Sequence, residues 1–431
     1  MLDKNKLTAS CVKALIESGL EKASSRFSLT RKQEFTVDAG AIALLRTTDD
    51  VALSMSGIKG QKRGATSINK TDAESISNAI NELNEIVDAG EADPAHDIAP
   101  KQPEESFEKG PLEPDTDLMY KRLTSFLSYC KEKYPTLLLE QVIFQHTVTH
   151  KWFSNSNNVN FSSIKGLYLF QVMFSSKENG NTSSFNFAFA ETADLSTELW
   201  LLAGINRVME QSVGQTVTQS IDGSFEGDVI VTPECMGNFV NTVAGFLTDY
   251  PLITNTSVYK DSLGEVIADK RLSLYSSPVS DELMGGYFVT GDGFKAENSS
   301  IIENGVLKTF LLGLYGANKT GLKKAVNSGG CYSIKPGDSS FEEMIKSVKK
   351  GILLCRFSGG NPASNGDFSG VAKNSYYIEN GEIQYPISES MITGNIKDML
   401  LNIKEISSGR VNNGESLYPW ITFSGITVSG K

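Results

Sequence analysis

Histidine is almost absent from this chain, with three in 431 residues, at His96, His146 and His150. The long carboxyl remainder therefore has no imidazole of its own to bind a metal or act as a general base. Cysteine is also sparse. Cys11, Cys130, Cys235, Cys331 and Cys355 are odd in number and lack Cys-x-x-Cys spacing, which excludes a disulfide framework and a zinc ribbon. No apolar run reaches the roughly 20 residues of a membrane helix. The start, MLDKNKLTASCVKALIE, has no apolar segment followed by a small-residue cleavage site. A cytoplasmic protein with reduced thiols and no membrane association is expected. Positive charge is the minority, 40 basic against 51 acidic residues, for a net charge of −11. Neutralising nucleic-acid phosphates requires Lys and Arg, so direct nucleic-acid binding is not expected. The short run Lys59 to Arg63 reads as a solvated turn.

The length suggests two or three domains, because single cores stop growing near roughly 250–300 residues. Residues 7–18 read as a helix with Val12, Leu15 and Ile16 on one stripe. Short alternating strands follow from Phe27 to Ser67, with turns at Asp38-Ala39-Gly40 and Asp49-Asp50. Their inward rows are Phe35 and Val37, Ile42 and Leu44, then Val51, Leu53 and Met55. Thr71 to Glu74 has the form of a capping box, opening a helix that runs to about Ala89. Gly90 to Pro114 holds five of the 13 prolines and reads as an extended surface crossing. A second long helix spans Asp115 to Tyr134, and strands return in three period-2 rows. These rows are Phe144 to Trp152, Tyr168 to Phe174, and Phe185, Phe187 and Phe189. Helices are expected over Leu195–Gln211, after Thr232-Pro233-Glu234, and near 319–326, 340–349 and 395–405. Antiparallel strands with segregated helices indicate an α+β fold. We divide it into an amino-terminal domain of antiparallel strands with long helices, 1–215, and a carboxyl-terminal β-rich domain with Gly-rich loops, 216–431.

Two stretches of the carboxyl half carry the same hairpin signature, I302-E303-N304-G305-V306 and I378-E379-N380-G381-E382. Asn-Gly suits a turn in which both residues take positive φ. The pair are either equivalent parts of one sheet or two uses of a favourable turn. Between them, Ile352 to Phe357 reads as a buried strand leading into a Gly/Asn/Ser loop, Ser358 to Gly370, too long and polar for a simple hairpin turn. The loop has no Lys-Ser/Thr ending and is not a P-loop. Its small residues either admit a peptide backbone or make a long turn. Gly359, Gly360, Asn361, Asn365 and Asp367 are the candidate contacts for a peptide or another subunit.

His146-Thr-Val-Thr-His150 has the spacing of helical zinc proteases, but its surroundings read as a strand. At about 3.3 Å per residue the two rings start roughly 13 Å apart, too far to share one zinc. Sheet-surface histidines are the better reading. Cys355 lies at the entrance to the Gly-rich loop and reads as buried packing, since a cysteine hydrolase needs a base beside its thiolate.

The run from Ser300 to Gly430 resembles the carboxyl half of the TldD/PmbA family, in its PmbA (TldE) branch. SIIENGVLKTFLL, KPGDSSFEEMI, GDFSGVAKNSYYIENGEIQYPISE, ITGNIKDMLLNI and ITVSG occur in the family's order. The resemblance implies a cytoplasmic peptidase or peptidase partner of a family also labelled modulators of DNA gyrase. The catalytic TldD branch bears His-Glu-x-x-x-His on a helix, with a further cysteine ligand near the carboxyl terminus. Here the corresponding helix, Pro233 to Leu247, offers Asn238, Asn241 and Thr242, and Ser416 to Lys431 has no cysteine. No catalytic, metal or cofactor-binding residue carries over. The expected role is a non-catalytic subunit pairing with a zinc-bearing TldD-like paralogue, or with itself as a dimer, around a peptide substrate. The alternatives are a stand-alone homodimer acting on peptides without the standard zinc site, and a gyrase modulator acting through protein contacts.

Overall fold

The computed structural model describes residues 4–38, 40–360 and 362–430. Its first sheet contains β1 (Lys22–Asp38), β2 (Ala41–Lys59), β3 (Lys62–Ile68), β4 (Glu105–Lys109), β5 (Leu137–Asn155), β6 (Val159–Glu178), β7 (Asn181–Thr182) and β8 (Asn186–Thr192). The order is β3-β2-β1-β5-β6-β4, and β7 and β8 also pair with β6. Four helices cover one face: α1 (Lys4–Glu17), α2 (Ala73–Ala89), α3 (Thr116–Lys133) and α4 (Ile205–Gly214). Leu15, Leu83 and Val87 pack on Phe27, Leu53 and Met55. Met119, Leu123 and Phe126 pack on Phe144, Phe170 and Phe174. Side chains alternate along a strand, so Phe144 and Val148 of β5 lie on the helix side while Thr147, Thr149 and Lys151 face the other way.

The strands are longer than their local pattern suggests. Asp49 and Asp50 do not turn. They lie within β2 opposite Arg31 and Thr30, where Arg31 Nε stands 3.6 Å from Asp49 Oδ1. Here β2 runs at the solvated end of the sheet, which tolerates acids, and Leu44 is 44% exposed. Ala39 of the other expected turn lies outside the described residues. The cap of α2 is Asp72 rather than Thr71, its carboxylate accepting from Ser75 N at 2.9 Å and Ser75 Oγ at 2.8 Å. The proline-rich crossing contributes β4, which runs parallel to β6. Phe185 and Phe187 face outward, because Ala188 and Ala190 fill the inner row of β8.

All later strands join one 13-stranded sheet. At its centre, β9 (Ser224–Val231) lies between the final strand, Leu417–Ser429, and Lys350–Leu354. These strands are covered on both faces. Val229, Val231, Ile352 and Leu354 meet Met236, Phe239 and Val243 of α5 (Pro233–Phe246) on one side. Ile230 and Leu353 meet Met344 and Ile345 on the other. The two Asn-Gly hairpins belong to this sheet and form its opposite edges, with φ of 48° at Asn304 and 51° at Asn380. The helix expected at 319–326 instead spans Leu314–Thr320 and ends at Gly321, whose φ is 72°. The one expected over 395–405 stops at Leu401, and the chain continues as the strand Ile403–Asn412. The architecture is α+β. Among the described residues no helix is long and apolar enough to cross a membrane.

Candidate functional site

The Gly-rich stretch is more ordered than a long loop. Arg356–Gly359 and Asp367–Lys373 pair as a hairpin, with Gly359 opposite Gly370, so only 360–366 connect them. A Cβ at Gly359 would lie 2.4 Å from Phe357 Cζ, so this glycine makes room for a ring of its own strand. Gly360 faces open space. Asn361 lies outside the described residues. Asn365 and Asp367 are brought together: Asn365 Nδ2 donates to Asp367 Oδ2 at 2.6 Å, and Asn395 Nδ2 donates to Asp367 Oδ1 at 2.8 Å. The Asn395 and Asn365 amides hold the Asp367 carboxyl below its usual range. Asp367 and Asn395 border a surface groove of about 700 Å³ that also includes Thr393, Asp398 and Ser424.

The helix that would carry a family zinc site is α5. Its buried face is Cys235, Met236, Phe239, Val240 and Val243. Asn238 and Asn241 point to solvent, and Thr242 Oγ1 donates to Asn238 O at 2.9 Å. Amides and a hydroxyl are poor zinc donors, and among the described residues no three His, Cys, Asp or Glu side chains gather around a common point. The donor set does not fit zinc. Cys355 is buried, and burial pushes its thiol well above the ordinary value, which disfavours the thiolate.

The histidine pair lies on β5 as the strand pattern required. His146 is not at the sheet surface, however. It is 2% exposed, and its Nε2 donates to Pro111 O at 2.9 Å, fastening the proline-rich crossing to the sheet. His150 stacks on Trp152 with ring centroids 5.7 Å apart.

The uncovered face of the first sheet holds a cavity of about 280 Å³ that the sequence reading missed. Arg26, Lys151 and Lys165 project into it from β1, β5 and β6, and Gly286 to Val289 of the carboxyl half roof it. Three cations hold this roof by its backbone. Arg26 Nη2 donates to Thr290 O at 2.9 Å, and Lys165 Nζ to Gly286 O at 2.7 Å and Met284 O at 3.1 Å. Lys109, on β4, donates to Leu283 O at 2.7 Å and also to Ser280 O. Burial lowers the pKa of all three. Lys151 is accessible through the cavity, yet crowded enough that burial, then Arg26, lowers its pKa. Glu191, from β8, is the acid of the cavity. Burial and then repulsion from Glu415 push it up to about 7 against the opposing pull of Lys165, and its buried Oε2 has no hydrogen-bond partner. The available signal was a second period-2 row on β5, Gln145, Thr147, Thr149 and Lys151, interleaved with the aromatic one.

Residues 224–430 match the family model of the PmbA/TldA metallopeptidase C-terminal domain. A metalloprotease of Methanocaldococcus jannaschii is 31% identical over 249 residues, 54% of each chain. The metalloprotease PmbA of Escherichia coli O157:H7 is 34% identical over 206 residues, 43% of this chain and 45% of the relative. The chain thus spans about half the length of the curated relatives it matches. The fold extends further: the crystal structure of TldE from Thermococcus kodakarensis superposes with a TM-score of 0.83 at 18% identity, covering 98% of this chain and 99% of that one. Sequence similarity therefore places the carboxyl half, residues 224–430, with the PmbA/TldD family, and the fold of the TldE structure is shared from end to end.

Proposed function

We propose that this chain is the PmbA/TldE-like, non-catalytic subunit of a TldD/TldE-type metallopeptidase that processes peptides or small unfolded proteins. The observation that carries this reading is α5. Its inner face is a set of core residues, while its outer face offers Asn238, Asn241 and Thr242 and no histidine. A fold kept intact around a helix without the family's histidines suits a subunit that shapes a chamber rather than one that cuts. Zinc then belongs to a TldD-like paralogue, the expected partner in the cytoplasm, and a homodimer forms when that paralogue is absent. The connection 360–366, with Gly359, Gly360, Asn365 and Asp367 around it, is the proposed contact for a peptide or for the other subunit.

The test is co-expression with a TldD-like chain, followed by peptide-hydrolysis assays on the complex and on each chain alone. Chelator-sensitive hydrolysis should appear with the complex and not with this chain. Hydrolysis by this chain alone, unaffected by chelator, would replace the partner reading with that of an independent peptidase. Sedimentation should show a dimer at micromolar concentration, with an interface on the order of 1,000 Å² or more per chain.

A further inference from the structure

We propose that the cavity under the 286–289 roof binds a carboxylate carried on an apolar residue, the chemistry shared by the free end of a peptide and by a free apolar amino acid. The charge arrangement carries the proposal. Among the described residues none of Arg26, Lys109, Lys151 and Lys165 lies within ion-pair distance of a carboxylate. Backbone carbonyls satisfy the hydrogen bonds of Arg26, Lys109 and Lys165 but do not cancel their charge, and crowded charges are normally paired. Lys151 lacks even a carbonyl: among the described residues its ammonium makes no hydrogen bond. Asp292, Asp281 and Glu191 attract Arg26, Lys109 and Lys165 from beyond ion-pair contact, whereas the charge acting on Lys151 is the like charge of Arg26, so Lys151 is the cation that an anion in the cavity would pair.

The rest of the lining narrows the class of anion. Phe153, Phe161, Leu167 and Phe288 supply apolar surface beside the cations. The volume of about 280 Å³ is at the small end of ligand sites, enough for one residue rather than a long segment. Glu191 opposes a doubly charged phosphate, while its unpartnered Oε2 is an acceptor for the N–H that an amino acid or peptide carries next to its carboxylate. Lys151 is free to take the carboxylate because it plays no part in holding the roof. The proposal stands apart from the partner-subunit reading, since it concerns a different face and needs no second chain.

The experiment is isothermal titration calorimetry on the full chain with four probes: N-acetylphenylalanine, its amide, free phenylalanine and inorganic phosphate. The acid should bind at least about tenfold more tightly than the amide, and phosphate more weakly than the acid. Lys151→Gln should weaken the acid by about tenfold without changing the melting temperature, and Lys151→Arg should retain binding. Tighter binding of N-acetylphenylalanine than of phenylalanine identifies a peptide end as the ligand, and the reverse order a free amino acid. Equal binding of acid and amide, phosphate binding as tight as the acid, no saturable heat at roughly millimolar ligand, or an unchanged affinity in Lys151→Gln would each overturn the assignment.

Discussion

The amino-terminal sheet buries one face under helices and leaves the other to threonines, lysines and a cavity, whereas the centre of the carboxyl sheet is buried on both sides. The difference is visible in the side chains themselves. In β5, buried Phe144 and Val148 alternate with the half-buried Thr147 and Thr149. In β9 and its neighbour, Val229, Ile230, Val231, Ile352, Leu353 and Leu354 are all buried in continuous runs. Strands covered on both faces require such runs, and these two pair in parallel. A sheet with a free face can place charged groups on it and receive a ligand, while a sheet sealed on both faces is confined to holding the fold. The second lesson concerns how the two halves are joined. The roof segment of the carboxyl half is tied to the open face both by cations donating to its carbonyls and by an apolar seam, in which Phe288 stacks on Phe107 and Val289 packs with Phe153 and Phe161.

The largest effects should come from the cores. Leu354→Ala in the doubly covered sheet and Phe144→Ala under the helices should each cost about 3–5 kcal/mol, read from chemical denaturation. A much smaller loss at Phe144 alone would show that the singly covered sheet is the looser half.

Next is the buried acid at the junction. The folded pKa of Glu191 is raised to about 7 from an ordinary 4.5, so ionising it on folding is penalised, and stability falls as pH rises between those values. Glu191→Gln should therefore stabilise the protein at pH 8, by up to about 3 kcal/mol, with the gain vanishing toward pH 5. Melting curves at both pH values check this, and a gain that is equal at the two would refute the account.

Lys109→Met should cost about 1–3 kcal/mol by leaving two roof carbonyls without their charged donor. Amide exchange should then rise over 280–291 while the central strands of the carboxyl sheet keep their protection. The smallest effect separates the two edges of the carboxyl sheet. Asn304→Ala and Asn380→Ala each place a Cβ residue less suited to positive φ in the turn, costing about 1 kcal/mol, measured by denaturation of each variant.

Where local chemistry was sufficient, the sequence was easy to read. Both Asn-Gly turns form as expected, because their conformation is dictated by the two residues that make them. Thr232-Pro233-Glu234 opens α5 for the same reason. The misreadings occur where distant partners override local preference. Asp49-Asp50 looked like a turn, but Arg31 and Thr30 across the ladder keep it extended. Asp249, whose carboxylate accepts from Gly313 N at 2.8 Å and Gly316 N at 3.2 Å, starts the helix at Leu314 from some 60 residues away. The cation cavity escaped for a related reason. Arg26, Lys151 and Lys165 are ordinary strand residues, and only their register across β1, β5 and β6 brings them together.

By itself, the sequence determined the α+β class, the absence of histidine from the helix after Pro233, both hairpins and the membership of the carboxyl half in its family. Each depends on residue identity at short range, where spacing and φ preference act within a few positions. Only the tertiary structure decided that the hairpins stand at opposite edges of one sheet, that His146 is a buried fastening, and that four cations meet at the junction of the halves. Those outcomes depend on strand order and register, which are set by the mutual burial of segments distant in the sequence.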